Sequence, residues 1–360
     1  MPTIFDTSRV QKLAKTLEED IRSRGLTTGD RYFTASEAAE AYDVSISTAH
    51  RALKILADSH MLMRRRNHGT FVGSPEGKRY IVDTIHYIEP AATDSRADDY
   101  SCWVKALREH FPNVSVQFNC VPAENAVEYT SELIRTAKLT GNLLGIVVNS
   151  YPDVYPLLSK SGVPTVVSGS LRHDDPLPAS LDIDNHESGR LLTRYLAERG
   201  HRRIFVFAHD NDRPGTHDLL DGVAEGITEA GLPANALMVR FFSNNFDAFG
   251  AAVKAELECG LQSESRPTAA ITYGINRARL VTQAATELGL SKPRDFEVVF
   301  CGEPASGDDA GMYTRAVGKM SDSQRVSTVA EMLKQLSDGR GFERKRVVIP
   351  VELLEAEPRK

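Results

Sequence analysis

The chain has 360 residues, 41% of them apolar, and a formal net charge of −6. That is too long for one ordinary domain and apolar enough for two or three, each with its own core. No run of about 18 apolar residues occurs, which excludes a helical membrane span. The N-terminus also lacks the charged-then-apolar pattern of a secretory signal. Cys102, Cys120, Cys259 and Cys301 are widely spaced and fit neither a metal site nor a disulfide framework. They suit free thiols in a reducing compartment, so a soluble cytoplasmic protein is expected. Residues 1–80 carry 13 Lys/Arg against 10 Asp/Glu, and the remainder 30 against 39. The positive end is therefore the N-terminal one.

The first predicted element is a helix. Val10, Leu13, Leu17 and Ile21 follow helical spacing, with Ser8 placed to cap it and Gly25 to stop it. A second helix opens at Thr34, which with Glu37 fits a capping box, and Asp43 marks the turn after it. A third, over SISTAHRALKILADSHM, turns Ala49, Ala52, Leu53 and Leu56 inward. MLMRRRNHGTFVG then reads as two short strands around a basic tip at 67–69. Helix, helix, helix and hairpin make residues 1–73 an α+β winged helix-turn-helix.

SPEGKR, residues 74–79, has the polar, Pro/Gly-bearing composition of a linker. Beyond it the apolar runs LLGIVVNS, TVVSG, RIFVFAH, TAAITYG and EVVFCGE alternate with helical stretches. Continuous apolar strands between helices mean a parallel sheet covered on both faces. Residues 80–360 are thus expected to form a large α/β module. Trp103, on the helix after its first strand, reads as core.

A helix that enters the major groove needs small polar side chains at its N-terminus and an apolar face behind them. Ser45, Ser47, Thr48, His50 and Arg51 meet that need. Thr34 and Ser36 start the preceding helix. On the wing, Arg64, Arg65, Arg66, His68, Gly69 and Thr70 are placed to reach the backbone or minor groove. Double-stranded DNA is the expected partner.

TTGDRYFTASEAAEAYDVSISTAHRALKILADSHMLMRRRNHGTFVG resembles the GntR-type winged helix over residues 8–73. Gly29-Asp30, Glu37, Val44-Ser45, Thr48, Ala52-Leu53, Leu56 and Gly69-Thr70-Phe71-Val72 recur in that family's order. The departures matter. Tyr32-Phe33 stands where that family has Leu-Pro, and Ile46 and His50 replace two recognition-helix arginines. Ser36 replaces another arginine, and Asn67 replaces a wing glycine. The family's base contacts do not carry over, so Ser47 and Arg51 become the expected readers of sequence.

SLDIDNHESGRLLTRYLAERGHRRIFVF is similar to the LacI/GalR-type sensor domain, itself similar to periplasmic sugar-binding proteins. The matching residues are Asp184-Asn185, Gly189, Tyr195-Leu196, Gly200-His201-Arg202 and Ile204, and the order of elements agrees to about Glu355. The resemblance implies an α/β periplasmic-binding-protein-like module of two Rossmann-like lobes, with a small ligand in the cleft. The strand-end rule for open α/β sheets points to the same place. The combination is similar to the arabinose repressor group, in which effectors are often sugars. Sugar pockets use planar polar groups for hydroxyls and an aromatic face for C–H surface. By resemblance the candidates are Asp184, Arg213, Phe246, Tyr273, Asn276 and Glu303. Arg213 takes the place of an effector-contacting arginine, whereas another such arginine is Leu219 here. Asp184 has a second role open to it, as cap of the helix that follows.

No G-x-S-x-G elbow, P-loop, H-E-x-x-H or spaced Cys/His set occurs. His201, at a helix–strand junction, reads as structural. No catalysis, metal or cofactor is expected beyond a small-molecule effector, a sugar or sugar derivative. The expected protein is a sequence-specific transcription regulator acting as a repressor. Its expected form is a homodimer held by the sensor and bound to pseudo-palindromic DNA. Two alternatives stay open. One is a ligand-binding protein with weak or vestigial DNA contacts, and the other is a regulator using a non-sugar co-repressor.

Overall fold

The structure is a computed structural model that describes residues 4–26, 30–58, 61–65, 69–73, 82–90, 97–140, 144–149, 151–209, 213–242, 246–262, 266–290, 295–302, 310–338 and 345–357. The expected linker at 74–79 lies outside the described residues. No helix among the described residues is long and apolar enough to cross a membrane.

The N-terminal unit runs α1 (Ile4–Ser23), β1 (Arg31–Tyr32), α2 (Ala35–Ala41), α3 (Ile46–Asp58), β2 (Leu62–Arg65) and β3 (Gly69–Val72). Helix α1 begins four residues before Ser8, since nothing from Ile4 onward breaks a helix. It stops where expected: Gly25 takes φ +64° and the Leu26 N–H reaches back to the Ile21 carbonyl at 3.1 Å. Leu17, Ala49, Ala52, Leu53, Leu56, Leu62 and Val72 form one core. Strand β1 was not anticipated. It pairs antiparallel with β3, making the wing three-stranded in the order β1-β3-β2. Tyr32 explains why an aromatic stands here. Its ring is buried, and its hydroxyl lies 3.1 Å from the Leu17 carbonyl and 2.9 Å from Asp20 Oδ2, tying the wing to α1.

The C-terminal unit contains two sheets. The first lobe is built from β4 (Thr84–Pro90), α4 (Ala97–His110), β5 (Ser115–Val121), α5 (Ala126–Thr140), β6 (Leu144–Val148), α6 (Tyr155–Ser161), β7 (Thr165–Ser168) and β8 (Ala179–Ile183). The chain continues through α7 (Asn185–Glu198), β9 (Ile204–His209), α8 (Pro214–Glu229), β10 (Leu237–Phe242), α9 (Phe246–Leu261), β11 (Ala269–Tyr273), α10 (Ile275–Glu287), β12 (Glu297–Cys301) and β13 (Arg315–Gly318). It ends with α11 (Asp322–Ser337), β14 (Lys345–Ile349) and β15 (Val351–Leu354). Strand order is β14-β8-β7-β6-β4-β5 in one lobe and β10-β9-β11-β12-β13-β15 in the other. The pairs are parallel except β13 with β15. Strands β6 and β12 are buried at every residue, which is why they read as unbroken apolar runs.

Each sheet is covered on both faces. In the first lobe Leu107 and Leu333 pack on one side, and Ile134 and Leu158 on the other. In the second, Val253 and Val281 oppose Leu192 and Val223. Trp103 packs against the first-lobe core and lies 4.7 Å from the Tyr87 ring, centroid to centroid, as its core reading requires.

The chain crosses between lobes three times: from β8 to α7, from β13 to α11 and from β14 to β15. Two bonds knit the crossings, Asp184 N–H to the Ile349 carbonyl at 2.9 Å and Lys319 N–H to the Pro350 carbonyl at 2.8 Å. Helices α7 and α8 meet backbone to backbone at glycines. A Cβ on Gly189 would sit 2.3 Å from the Leu219 carbonyl oxygen, and one on Gly222 would sit 1.8 Å from that of His186.

Candidate DNA surface and effector cleft

Helix α3 is started by Ser45. Its Oγ accepts the Thr48 N–H at 3.1 Å and shares a hydrogen bond with Thr48 Oγ1 at 2.8 Å. Both hydroxyls are thus engaged in shaping the helix start. Ser47 and His50 are exposed and Arg51 is half-buried. Thr34 caps α2, accepting the Glu37 N–H at 3.3 Å while the Glu37 carboxylate accepts the Thr34 N–H at 2.8 Å. Ser36 is exposed on the first turn of α2. Arg65 ends β2 opposite Gly69, which takes φ +110°. The side chains of Arg64 and Arg65, and residues Arg66 and His68 altogether, lie outside the described residues. One correction is needed on the wing. The Thr70 side chain is buried, because it shares the strand face of core residue Val72, so it is not available to a phosphate.

The cleft is built where open α/β sheets place ligands. Each strand order reverses direction, between β4 and β6 in one lobe and between β9 and β11 in the other. The loop after β6 carries Tyr151, the loop after β9 carries Arg213, and β11 ends at Tyr273. From β8, Asp182 accepts hydrogen bonds from Ser170 Oγ at 2.8 Å, Asn185 Nδ2 at 2.9 Å and the Ile183 N–H at 2.8 Å. Burial pushes the Asp182 carboxyl up, and these bonds only partly offset it. Asn185 continues the network across the lobes: its Oδ1 lies 2.8 Å from the Tyr273 hydroxyl, which is also 2.7 Å from the Gly215 carbonyl.

Arg213 stands just before α8. Burial pulls its guanidinium below the ordinary arginine value, against the opposing influence of the Tyr151, Tyr155 and Tyr273 oxygens around it. Among the described residues its side chain has no hydrogen-bond or ion-pair partner. Tyr151 donates to the Val121 carbonyl. The buried Tyr155 hydroxyl, near Arg213 and Asp182, makes no full hydrogen bond among the described residues and has only a weak approach from the Tyr151 backbone.

Asp184 takes its alternative role. Its carboxylate accepts the Glu187 N–H at 2.8 Å and caps α7, which leaves Asp182 as the acid at the cleft. Asn276 lies on the first turn of α10 and accepts from Arg279 rather than meeting Tyr273. Phe246 begins α9, but its side chain lies outside the described residues, as does Glu303. Tyr151, Tyr155, Ser170 and Asp182 were not singled out by sequence, and Asn185 entered only as part of the Asp184-Asn185 turn, not as a cleft residue. Asp182 and Asp184 share a strand face, and only the helix start at Asn185 tells the capping acid from the cleft acid.

His201 is structural, as its position implied. Its Nδ1 lies 2.9 Å from Thr268 Oγ1 and its Nε2 3.0 Å from Glu297 Oε2. Arg199 Nε and the Tyr195 hydroxyl donate to the same carboxylate, each at 3.0 Å. Burial alone raises Glu297, yet bonds from His201, Arg199 and Tyr195 outweigh it and hold the group below the usual carboxylate value.

A winged helix with an exposed α3 face, followed by two α/β lobes around a polar cleft, is the build of a ligand-controlled DNA-binding protein. The gntR family of bacterial regulatory proteins matches residues 9–72, and the periplasmic binding protein-like domain matches residues 193–355. The arabinose metabolism transcriptional repressor of Geobacillus stearothermophilus is 23% identical over 330 residues, covering 86% of each chain. A LacI family transcriptional regulator from Enterococcus faecium with bound ribose superposes at a TM-score of 0.60, with 19% identity, over 76% of this chain and 97% of that one. A complex of the transcriptional regulator CelR with cellobiose gives 0.62 and 19%, over 87% of this chain and 92% of the other. The chain carries a gntR-type helix-turn-helix and a periplasmic-binding-protein-like sensor of two parallel-sheet lobes. It is a DNA-binding transcription regulator controlled by a small-molecule effector.

Proposed function

We propose that the effector is a sugar or sugar derivative held between the lobes, and that its binding releases a repressor from operator DNA. The observation that carries this reading is the pair of polar groups in the cleft that make no full hydrogen bond among the described residues, the Tyr155 hydroxyl and the Arg213 guanidinium, beside the acceptor Asp182. A buried polar group without a partner is costly. A polyhydroxyl ligand offers both a donor and acceptors, which suits a site with both needs. The ribose and cellobiose named for the similar structures agree with that chemistry. In this reading residues 1–73 are the DNA head, 74–79 the linker and 80–360 the sensor. Ser36, Ser47, His50, Arg51 and the wing arginines contact DNA. The working form is a cytoplasmic homodimer joined through the sensor, which sets two heads on a pseudo-palindromic duplex. The chain catalyses no reaction.

A thermal-shift screen over pentoses, hexoses and their phosphates tests the proposal. A sugar at about a hundred times its Kd stabilises the folded form by about 2.7 kcal/mol. Arg213→Ala should abolish the shift while leaving duplex binding intact. If no sugar raises Tm in the wild-type protein, the sugar reading fails.

A further inference from the structure

Among the described side chains of the winged helix, the large apolar ones are buried or partly buried, except Ile46 and Ile55 on α3, which are exposed. Ile46 is the first residue of that helix and 59% exposed. The side chains that share this end are Ser45 and Thr48, whose hydroxyls bind each other, and Ser47. His50 follows one turn on from Ile46, on the same exposed side. No charged side chain lies between Ser45 and Ala49. The tip that leads into a DNA groove therefore presents an aliphatic group where a fork of charged donors would read guanine.

We propose that Ile46 is a specificity-determining residue that reads the C5-methyl group of a thymine in the major groove. Among the base edges in that groove, thymine alone offers a methyl group, and apolar side chains are its partners. The Ser45–Thr48 cap fixes the first turn, so the isoleucine has a set direction without any polar bond of its own. Ser47 and His50 supply hydrogen bonds to neighbouring edges or phosphates. The assignment rests on α3 being the groove-entering helix of this DNA-binding regulator.

The test begins by enriching duplexes from a randomised pool with the full-length protein. Each thymine of the enriched duplex is then replaced singly by deoxyuridine, which removes only the methyl group. Fluorescence anisotropy measures Kd for wild type and for Ile46→Ala, a change at an exposed position that leaves the core untouched. At one thymine per half-site the wild type should lose roughly fourfold in affinity, the effect of burying one methyl. Ile46→Ala should show less than about half of that loss at the same base, because the two changes delete one contact and are coupled. Ile46→Arg should shift the base enriched at that position toward guanine. The assignment is overturned if the methyl effects in Ile46→Ala equal those in wild type at every thymine. A pool that yields no enriched sequence at all would instead overturn sequence-specific DNA reading by α3.

Discussion

The contact between α7 and α8 makes a sharp prediction, because the same substitution should have opposite signs at two glycines. At Gly222 an added Cβ would lie 1.8 Å from the His186 carbonyl oxygen, 2.7 Å from its carbon and 3.0 Å from its Cα. These are backbone atoms and cannot swing aside. Ordinary contact begins near 3.4 Å, so the helices must part by about 1.6 Å locally. At Gly250 in α9 the added Cβ would meet only Leu280 Cδ2, at 3.7 Å. Replacing a mid-helix glycine by alanine is worth about 0.5–1 kcal/mol on its own. Overpacking costs about 1–3 kcal/mol, and more where backbone must move. Gly222→Ala should therefore destabilise by at least about 2 kcal/mol, since Leu192, Leu219, Val223 and Ile227 all lose packing as the helices separate. Gly250→Ala should stabilise by about 0.5–1 kcal/mol.

For a domain of this size each kcal/mol moves Tm by about 2–4 °C. Calorimetry should show a fall of about 4–8 °C for Gly222→Ala and a small rise for Gly250→Ala. Effector affinity should follow the same division. Helix α7 opens at Asn185 and α8 carries Gly215, and both meet the Tyr273 hydroxyl, so parting the helices disturbs the cleft. If Gly222→Ala melts at or above the wild-type temperature, the close backbone approach is refuted.

Glu297→Gln should lower stability by about 2 kcal/mol, since it weakens bonds from His201, Arg199 and Tyr195 to a buried carboxylate. Because the folded group is held below its ordinary value, its stabilisation is complete above the unfolded pKa of about 4.3 and is lost as pH falls through the folded value. Urea melts between pH 3 and pH 7 should show that acid limb in wild type and a flatter one in Glu297→Gln; equal slopes would refute it. Tyr32→Phe keeps the ring and removes only the hydroxyl that reaches Leu17 and Asp20. It should cost the winged helix about 1 kcal/mol, read from its melting transition by circular dichroism, and an unchanged midpoint would remove the proposed tie between wing and α1.

What could be read from sequence follows from how each feature is encoded. The three helices of the head announce themselves by repeated apolar spacing and by Thr34/Glu37, both local signals. Strand β1 has two residues, too few to show a period, and its reason for existing is Tyr32 reaching a helix 12 to 15 positions earlier. Thr70 was legible and was misread. Once Val72 is inside, strand alternation places Thr70 inside as well. In the sensor, apolar runs mark strands reliably, but order in a sheet is a long-range fact. Lys345 pairs beside Ala179, over a hundred residues away. The cleft suffers most from this. Tyr151, Asp182, Arg213 and Tyr273 come from four separate strand ends and meet only when both sheets have formed.

Asn185 shows why site and hinge are hard to separate in this fold. It is the first residue of α7, which packs in the second lobe, yet its side chain donates to Asp182 on the last strand before the crossing. The residue just before it, Asp184, bonds through its N–H to Ile349, beside another crossing. A ligand that takes over part of the Asp182 bonding therefore acts directly on the link between lobes, with no intervening relay. A ligand shifts a two-state equilibrium only by binding one state better than the other. Here that difference has a physical source. In the proposed function, a ligand between the lobes would supply the buried Tyr155 hydroxyl and the Arg213 guanidinium with the hydrogen-bond partners they lack among the described residues. Asn185→Ala should thus uncouple the two events, keeping measurable effector binding while reducing the effector's influence on DNA affinity. Isothermal titration and anisotropy on the same variant can tell this from simple loss of the site: if binding and control fall together in proportion, Asn185 is only a pocket residue.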